Sequence, residues 1–294
     1  METSSPVQVQ EIPQEIQNVS AIEASYVKKH WPIVLAAFII GVPFIVLAVL
    51  FAEPWYLLGT FFTWGFSWAV INTKARAFFM QQVGAKLGYS YDEGWTTPNR
   101  AGSALLSFGV SRDICNILTG TYQGLSVRIY DYVADTTQDK RSPGKKDHGK
   151  RYEFSVFEAT YPYQAPHIVL SMVQSAMSIE PSNDPASFRG EKLLTLEGGF
   201  DKYFKLRVQE GFETEVLEIF TPDIMAKLID IKPTLNIEFA ENKVYFYKTG
   251  TFSTGEQILS AYKTATVISQ LVRPRLKEVS GSVSAMNDVA GGAS

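Results

Sequence analysis

One cysteine, Cys115, stands in a chain of 294 residues. No intramolecular disulfide can form, and the composition fits a reducing compartment. Histidine is almost as scarce. His30, His148 and His167 lie far apart, so no Cys/His cluster has the spacing of a metal site. An excess of charge is also missing. Lys and Arg total 27 against 30 Asp and Glu, a formal net charge of −3. That balance lacks the basic face expected of a nucleic-acid binder. Neither a GxxxxGK(S/T) nor a GxGxxG phosphate loop occurs, and Ser107 and Ser111 lack the GxSxG elbow of a serine hydrolase. No cofactor is expected.

The most informative absence is local. No charged residue occurs from Trp31 to Ala52, and none from Pro54 to Thr73; Glu53 stands alone between the two runs. A bilayer core of about 30 Å is crossed by about 20 apolar residues in a helix. The two runs therefore predict a transmembrane helical hairpin with a tight turn at Glu53-Pro54. A cleaved signal peptide fits less well, because the preceding tail is acidic and a second apolar run follows at once. Lys28 and Lys29 precede the first run, and Lys74 and Arg76 follow the second. By the positive-inside rule these four residues predict a multi-pass inner-membrane protein with both termini cytoplasmic. Pro43 is expected to kink the first helix. With no ionisable group inside either run, a channel or pump is not expected. Small residues recur at helical spacing, Ala37 with Gly41 and Gly59 with Thr63 and Ser67. They suit either packing within the hairpin or self-association and a protein partner.

The rest of the chain reads as a mixed α+β domain with antiparallel strands. Ile12, Ile16, Val19, Ile22 and Tyr26 fall on one face of a short amphipathic helix. The helical character of the second run continues through Phe78, Phe79, Val83 and Leu87, and Gly88 is a plausible stop. Ile117–Thr121 and Leu125–Tyr132 flank Tyr122-Gln123-Gly124 as a β-hairpin. Strands are also expected at 152–160, 168–173 and 204–209. Thr221-Pro222-Asp223 is a helix start, with Thr as N-cap and Pro at the first helical position. Strands 235–240 and 243–248 are expected to turn at Glu241-Asn242. A long helix from Thr254 should end near Arg273, with Pro274 close to its end. The organisation expected is a tail with an amphipathic helix (1–30), the transmembrane hairpin (31–73), a cytoplasmic α+β domain (74–275) and a flexible tail (276–294).

The run GFDKYFKLRVQEGFETEVLEIFTPDIMAKLIDI, followed by LNIEFAENKVYFY, resembles an uncharacterised bacterial family catalogued as domain-of-unknown-function family 3137. The resemblance rests on Phe200, Phe204, Thr221, Pro222, Met225 and Leu228, and on the earlier GTYQGLSVRIYD stretch. It implies two membrane spans followed by a cytoplasmic α+β domain, and it implies no activity. In the family pattern a basic residue stands a few positions before the Thr-Pro, where Glu215, Leu217 and Glu218 lie in this chain.

Candidate chemistry is sparse, and no catalytic residue is assigned. Cys115 lies between Arg112, Asp113 and Asn116, with no histidine near in sequence, so a buried core role competes with a nucleophilic one. His148 and His167 could pair with Glu153 or Glu158. Lys140, Arg141, Lys145, Lys146, Lys150 and Arg151 form a basic loop, a candidate contact for anionic headgroups or simply a solvated loop. The leading expectation is a binding or scaffold module at the inner face of a membrane, with the lipid bilayer as a partner and no nucleic acid. The alternatives are a membrane-anchored enzyme acting on a lipid or envelope precursor and a self-assembling structural protein.

Overall fold

The computed structural model describes residues 19–100, 102–122, 124–136, 150–173 and 187–291, with the side chains of 19, 20, 23, 33, 34, 37 and 285–291 outside that set. The chain divides into two compact units. One holds Met1–Gly88 with Ser253–Glu256; the other holds Tyr89–Phe252 with Gln257–Ser294.

The first unit is helical: α1 (Val19–Lys29), α2 (Trp31–Phe51) and α3 (Tyr56–Leu87). Ala52, in the left-handed region at φ 55°, ends α2. The Glu53-Pro54 turn then passes into α3, with Leu57 N donating to the Pro54 carbonyl at 3.0 Å. The two helices of the hairpin meet through small residues. A Cβ on Gly41 would lie 2.4 Å from Trp64 Nε1, and one on Gly59 would lie 2.5 Å from the Phe44 ring. Thr60 Oγ1 donates to the Gly41 carbonyl at 3.1 Å, and Phe38 stacks on Trp64 at 4.5 Å. Helix α3 runs unbroken past Thr73 and stops at Gly88, whose positive φ of 71° suits glycine and whose N–H bonds the Gly84 carbonyl.

Among the described residues, no helix is long and apolar enough to cross a membrane. This corrects the expected transmembrane hairpin and, with it, the multi-pass inner-membrane assignment. The apolar half of α3 is diluted by Gly59, Thr60, Thr63, Gly65, Ser67, Asn72 and Thr73. Ile12 and Ile16 of the expected amphipathic helix lie outside the described residues, while Ile22 is buried.

The second unit is an antiparallel sheet with helices on it. The strands are β1 (Ser90–Asp92), β2 (Ser111–Tyr122), β3 (Leu125–Thr136), β4 (Lys150–Met172), β5 (Glu191–Leu194), β6 (Phe204–Gln209) and β7 (Asn236–Thr249). Their order is β1-β2-β3-β4-β6-β5, with β7 also paired to β4. Strand β4 has 23 residues. Its first half lies between β3 and β7, its second between β6 and β7. The β2–β3 hairpin closes where expected, with Tyr122 opposite Leu125.

The turn expected at Glu241-Asn242 is a bulge instead. Glu241 takes φ 55°, and β7 runs through it as one strand whose register against β4 shifts there. Asn116 does the same in β2 at φ 52°. A bulge and a tight turn both use a residue in the left-handed region. Glu241-Asn242 therefore satisfies either, and the length of β4 decides for the bulge.

Alternation sorts the sheet into two buried faces. One carries Tyr130, Tyr132, Phe154, Val156, Tyr245 and Tyr247 beneath Leu105, Leu106 and Phe108, residues of and just after the short helix α4 (Ala104–Ser107). The other carries Val127, Phe157 and Phe246, with Phe157 edge-on to Tyr262 of α7 (Gly255–Gly291). At the β6 end, Phe200 stacks on Phe204, and Phe220 meets Phe239 edge-on. Helices α5 (Glu213–Ile219) and α6 (Pro222–Ile231) follow, and Pro222 opens α6 as expected. The Thr221 hydroxyl bonds the Asp223 carboxylate rather than capping the backbone.

Helix α7 corrects the expected flexible tail. It continues through Pro274 to Gly291. Pro274 removes one helical hydrogen bond, but Ile268, Val272, Leu276, Val279 and Val283 form one buried stripe across it. Gln164 N donates to Ser280 Oγ at 3.0 Å, tying the later half to β4.

Candidate functional site

Two glutamates lie on the tyrosine-rich face of the sheet, where period-two alternation turns them toward α4. Glu238, on β7, is fully buried. Its carboxylate accepts from Ser103 Oγ at 3.1 Å and from the backbone N–H groups of Ala104 and Leu105. His167 Nε2 lies 2.8 Å away, and the imidazole stacks on Phe188 at 3.7 Å between ring centroids. Ser103 Oγ in turn accepts from Leu106 N at 3.1 Å. The carboxylate thus pins the start of α4 to the sheet. A buried charge is tolerable only with this many donors.

Glu158, on β4, is also buried. Lys243 Nζ lies at 2.8 Å and Arg128 Nη1 at 3.7 Å. Tyr130 Oη donates to it at 2.9 Å. The neighbouring Tyr245 hydroxyl is buried without a hydrogen-bond partner. Burial, then the charge of Glu158, holds that hydroxyl well above the usual phenol range. Glu158, Lys243 and Arg128 form an internal charge network whose two cations remain partly exposed. On the opposite face, Asp131 accepts from Asn116 Nδ2 at 2.9 Å and from Ser155 Oγ at 3.4 Å. Ser155 Oγ accepts from Phe252 N at 2.8 Å.

Among the described residues, those singled out from sequence do not converge. Cys115 is buried beside Asn116, whose Nδ2 is 3.8 Å from its sulfur. His167 is committed to Glu238, neither to Cys115 nor to the expected Glu153 or Glu158. Glu153 instead meets Arg151 at 3.2 Å. Lys150 and Arg151 are exposed at the start of β4, while Lys140, Arg141, Lys145, Lys146 and His148 lie outside the described residues. Lys28, Lys29 and Lys74 are exposed, and Arg76 lies over the Phe79 ring at 5.3 Å. Of the small residues, Gly41 and Gly59 are taken up by Trp64 and Phe44 within the hairpin. Ser67 Oγ bonds the Thr63 carbonyl, and the Ala37 side chain lies outside the described residues. No group of three or more His, Cys, Asp or Glu side chains could hold a metal among the described residues.

Sequence reasoning missed Glu238. In NIEFAENKV its alternation with Ile237 and Phe239 reads as a solvent-facing carboxylate. The usable signal was Ser103 ahead of Ala104-Leu105-Leu106, a capping residue before an apolar run.

Comparison with known proteins adds little. No family model matches the chain, and no curated protein does. The crystal structure of the mycobacterial trehalose monomycolate transport factor A is similar over 67% of this chain and 94% of that one, at 12% identity and a TM-score of 0.47. A score and identity this low assign neither fold family nor activity.

Proposed function

We propose that this protein is a non-catalytic binding module that docks on a lipid surface through the apolar exterior of the α2–α3 hairpin. The α+β unit is then the part presented to a partner. The observation that carries the reading is the exposure of large apolar side chains on the hairpin: Val49 at 77%, Trp55 at 74%, Phe66 at 73% and Phe61 at 72%. Monomeric proteins in water rarely leave such side chains contiguous and uncovered. Trp31, Trp55 and Tyr56 stand at helix ends, where amphipathic rings suit a headgroup boundary. Lys28, Lys29 and Lys74 add exposed cations, each worth about 1 kcal/mol near anionic lipid. The reading asks for apolar contact with lipid and for no crossing helix. His167 pairs with Glu238 and Cys115 lies beside Asn116, which suits a binding role better than a Cys–His nucleophile.

The test is flotation of the full chain with phosphatidylcholine–phosphatidylglycerol vesicles after detergent removal. The protein should float, and 0.5 M salt should leave most of it bound, because apolar contact dominates. Protein that stays at the bottom of the gradient as a dispersed species rules the proposal out.

A further inference from the structure

The α2–α3 hairpin is chemically lopsided along its length. At one end stand the exposed cations Lys28, Lys29 and Lys74. The other end is the turn between the helices, and from Phe44 to Gly59 the only charged residue is Glu53. Glu53 is exposed, and so are Val49, Leu50, Phe51 and Trp55 around it. Neither helix brings another charge to this end. From Trp31 to Thr73 the sole further titratable side chain is the phenol of Tyr56. Helix α2 has 21 residues, so the cations stand about 30 Å away along the hairpin. Charges that far apart in water are screened from one another, since the Debye length is about 8–10 Å. Backbone donors of the turn are already occupied. Leu57 N bonds the Pro54 carbonyl at 3.0 Å, Leu58 N bonds the Trp55 carbonyl at 3.1 Å, and Pro54 has no N–H. One carboxylate is therefore the main polar obstacle to placing residues 49–58 in an apolar phase.

We infer that the hairpin sits on anionic lipid as a lever, its cationic end held at the headgroups and the depth of its tip set by the charge on Glu53. The inference rests on the lipid docking proposed above and adds an orientation and a control to it. An ionised carboxylate leaves water at a high cost unless it is paired, and no cation lies within reach on either helix. Ionised Glu53 thus holds the tip among the headgroups. Protonated Glu53 lets Leu50, Phe51 and Trp55 sink toward the acyl boundary, the about 5–10 Å reached by interfacial helices. Immersion stops there, because the last carbonyls of α2 lack helical partners and keep water or headgroups as theirs.

The test uses the full chain on phosphatidylcholine–phosphatidylglycerol vesicles. Cys115 is buried, so a cysteine introduced at exposed Leu50 takes a nitrobenzoxadiazole label selectively. A second protein labelled at exposed Val70, near Lys74, serves as the reference. Flotation reads docking, and the label's emission reads depth. Acidifying from about pH 7 to about pH 4, where glutamates take up protons, should brighten and blue-shift the label of Leu50→Cys and leave that of Val70→Cys unchanged. Adding Glu53→Gln should give the blue-shifted emission already at neutral pH and remove the response to acid. Glu53→Asp should keep the response. A response that survives Glu53→Gln, an equal response at both labels, or none in protein that floats overturns the lever and leaves lipid docking standing. Protein that floats at neither pH overturns the docking and the lever together.

Discussion

The hairpin and the sheet use similar apolar residues in opposite ways. Phe154, Tyr132, Tyr245 and Tyr247 in the sheet are fully buried, whereas Phe61, Phe66 and Trp55 in the hairpin are largely exposed. The sheet has a layer on each face: α4 on one, α7 on the other. A two-helix hairpin has one internal seam, here filled by Gly41 against Trp64 and Gly59 against Phe44, and Phe61 and Phe66 on its outer side are left largely exposed. Composition alone therefore does not say whether an aromatic side chain is core or contact surface. The polar groups differ in the same sense. In the sheet, Glu158 and Glu238 are enclosed and hydrogen-bonded. In the hairpin, Thr63 and Ser67 bond their own helix backbone, so their hydroxyls leave the exterior apolar.

The comparison breaks most readily at Glu238. Glu238→Ala strands the hydroxyl of Ser103, the first N–H groups of α4 and His167 together. The expected loss is about 3–5 kcal/mol, read as a lower midpoint in thermal unfolding followed by near-UV circular dichroism. An unchanged midpoint would mean that α4 is held by Leu105 and Leu106 alone.

Alkaline pH should act next, and on the sheet unit. Burial raises the hydroxyls of Tyr130, Tyr132 and Tyr245 above their usual range. Burial also pushes Tyr161 up, to about 12. A group whose folded pKa exceeds its unfolded value contributes stability that is complete below the unfolded pKa. For Tyr161 that contribution is lost as pH rises from about 10 through about 12. Phenolate absorbance should therefore appear cooperatively with unfolding above pH 10. Smooth titration at pH 10 in the folded protein would contradict the burial of these rings.

Phe61→Ser with Phe66→Ser sharpens the other side of the comparison. Both residues are exposed, so the folding midpoint should move by no more than about 0.5 kcal/mol. Vesicle affinity should fall about ten-fold or more, since each ring buried in an apolar phase contributes about 1.5–3 kcal/mol. A drop in stability without loss of flotation would make the pair a core element. The smallest effect is expected at Lys192→Ala. Its ion pair with Glu213 at 2.8 Å is exposed, and exposed pairs contribute little. The thermal midpoint should not move.

Local signals were read correctly wherever one residue's backbone preference decides the outcome. Gly88 ended α3, Pro222 opened α6, and Tyr122 met Leu125 where the β2–β3 hairpin was expected to close. Signals that two structures can share were misread. Glu241-Asn242 serves a turn or a bulge, and Pro274 lies inside a helix whose buried stripe outweighs it. The hydrophobic pattern found the hairpin as helices but not what contacts their exterior. The glutamate sites were not legible, because neither Glu238 nor His167 carries a local mark of pairing across 71 positions.

By itself, then, the sequence determined the local breaks, the alternation of strands and the uncharged stretches, since each depends on a residue's own φ preference or its solvation. Only the tertiary structure decided that β4 runs unbroken, that α7 passes Pro274, and that Glu238 lies beneath α4. Those outcomes depend on which surfaces meet, and burial is a property of the pair rather than of either residue.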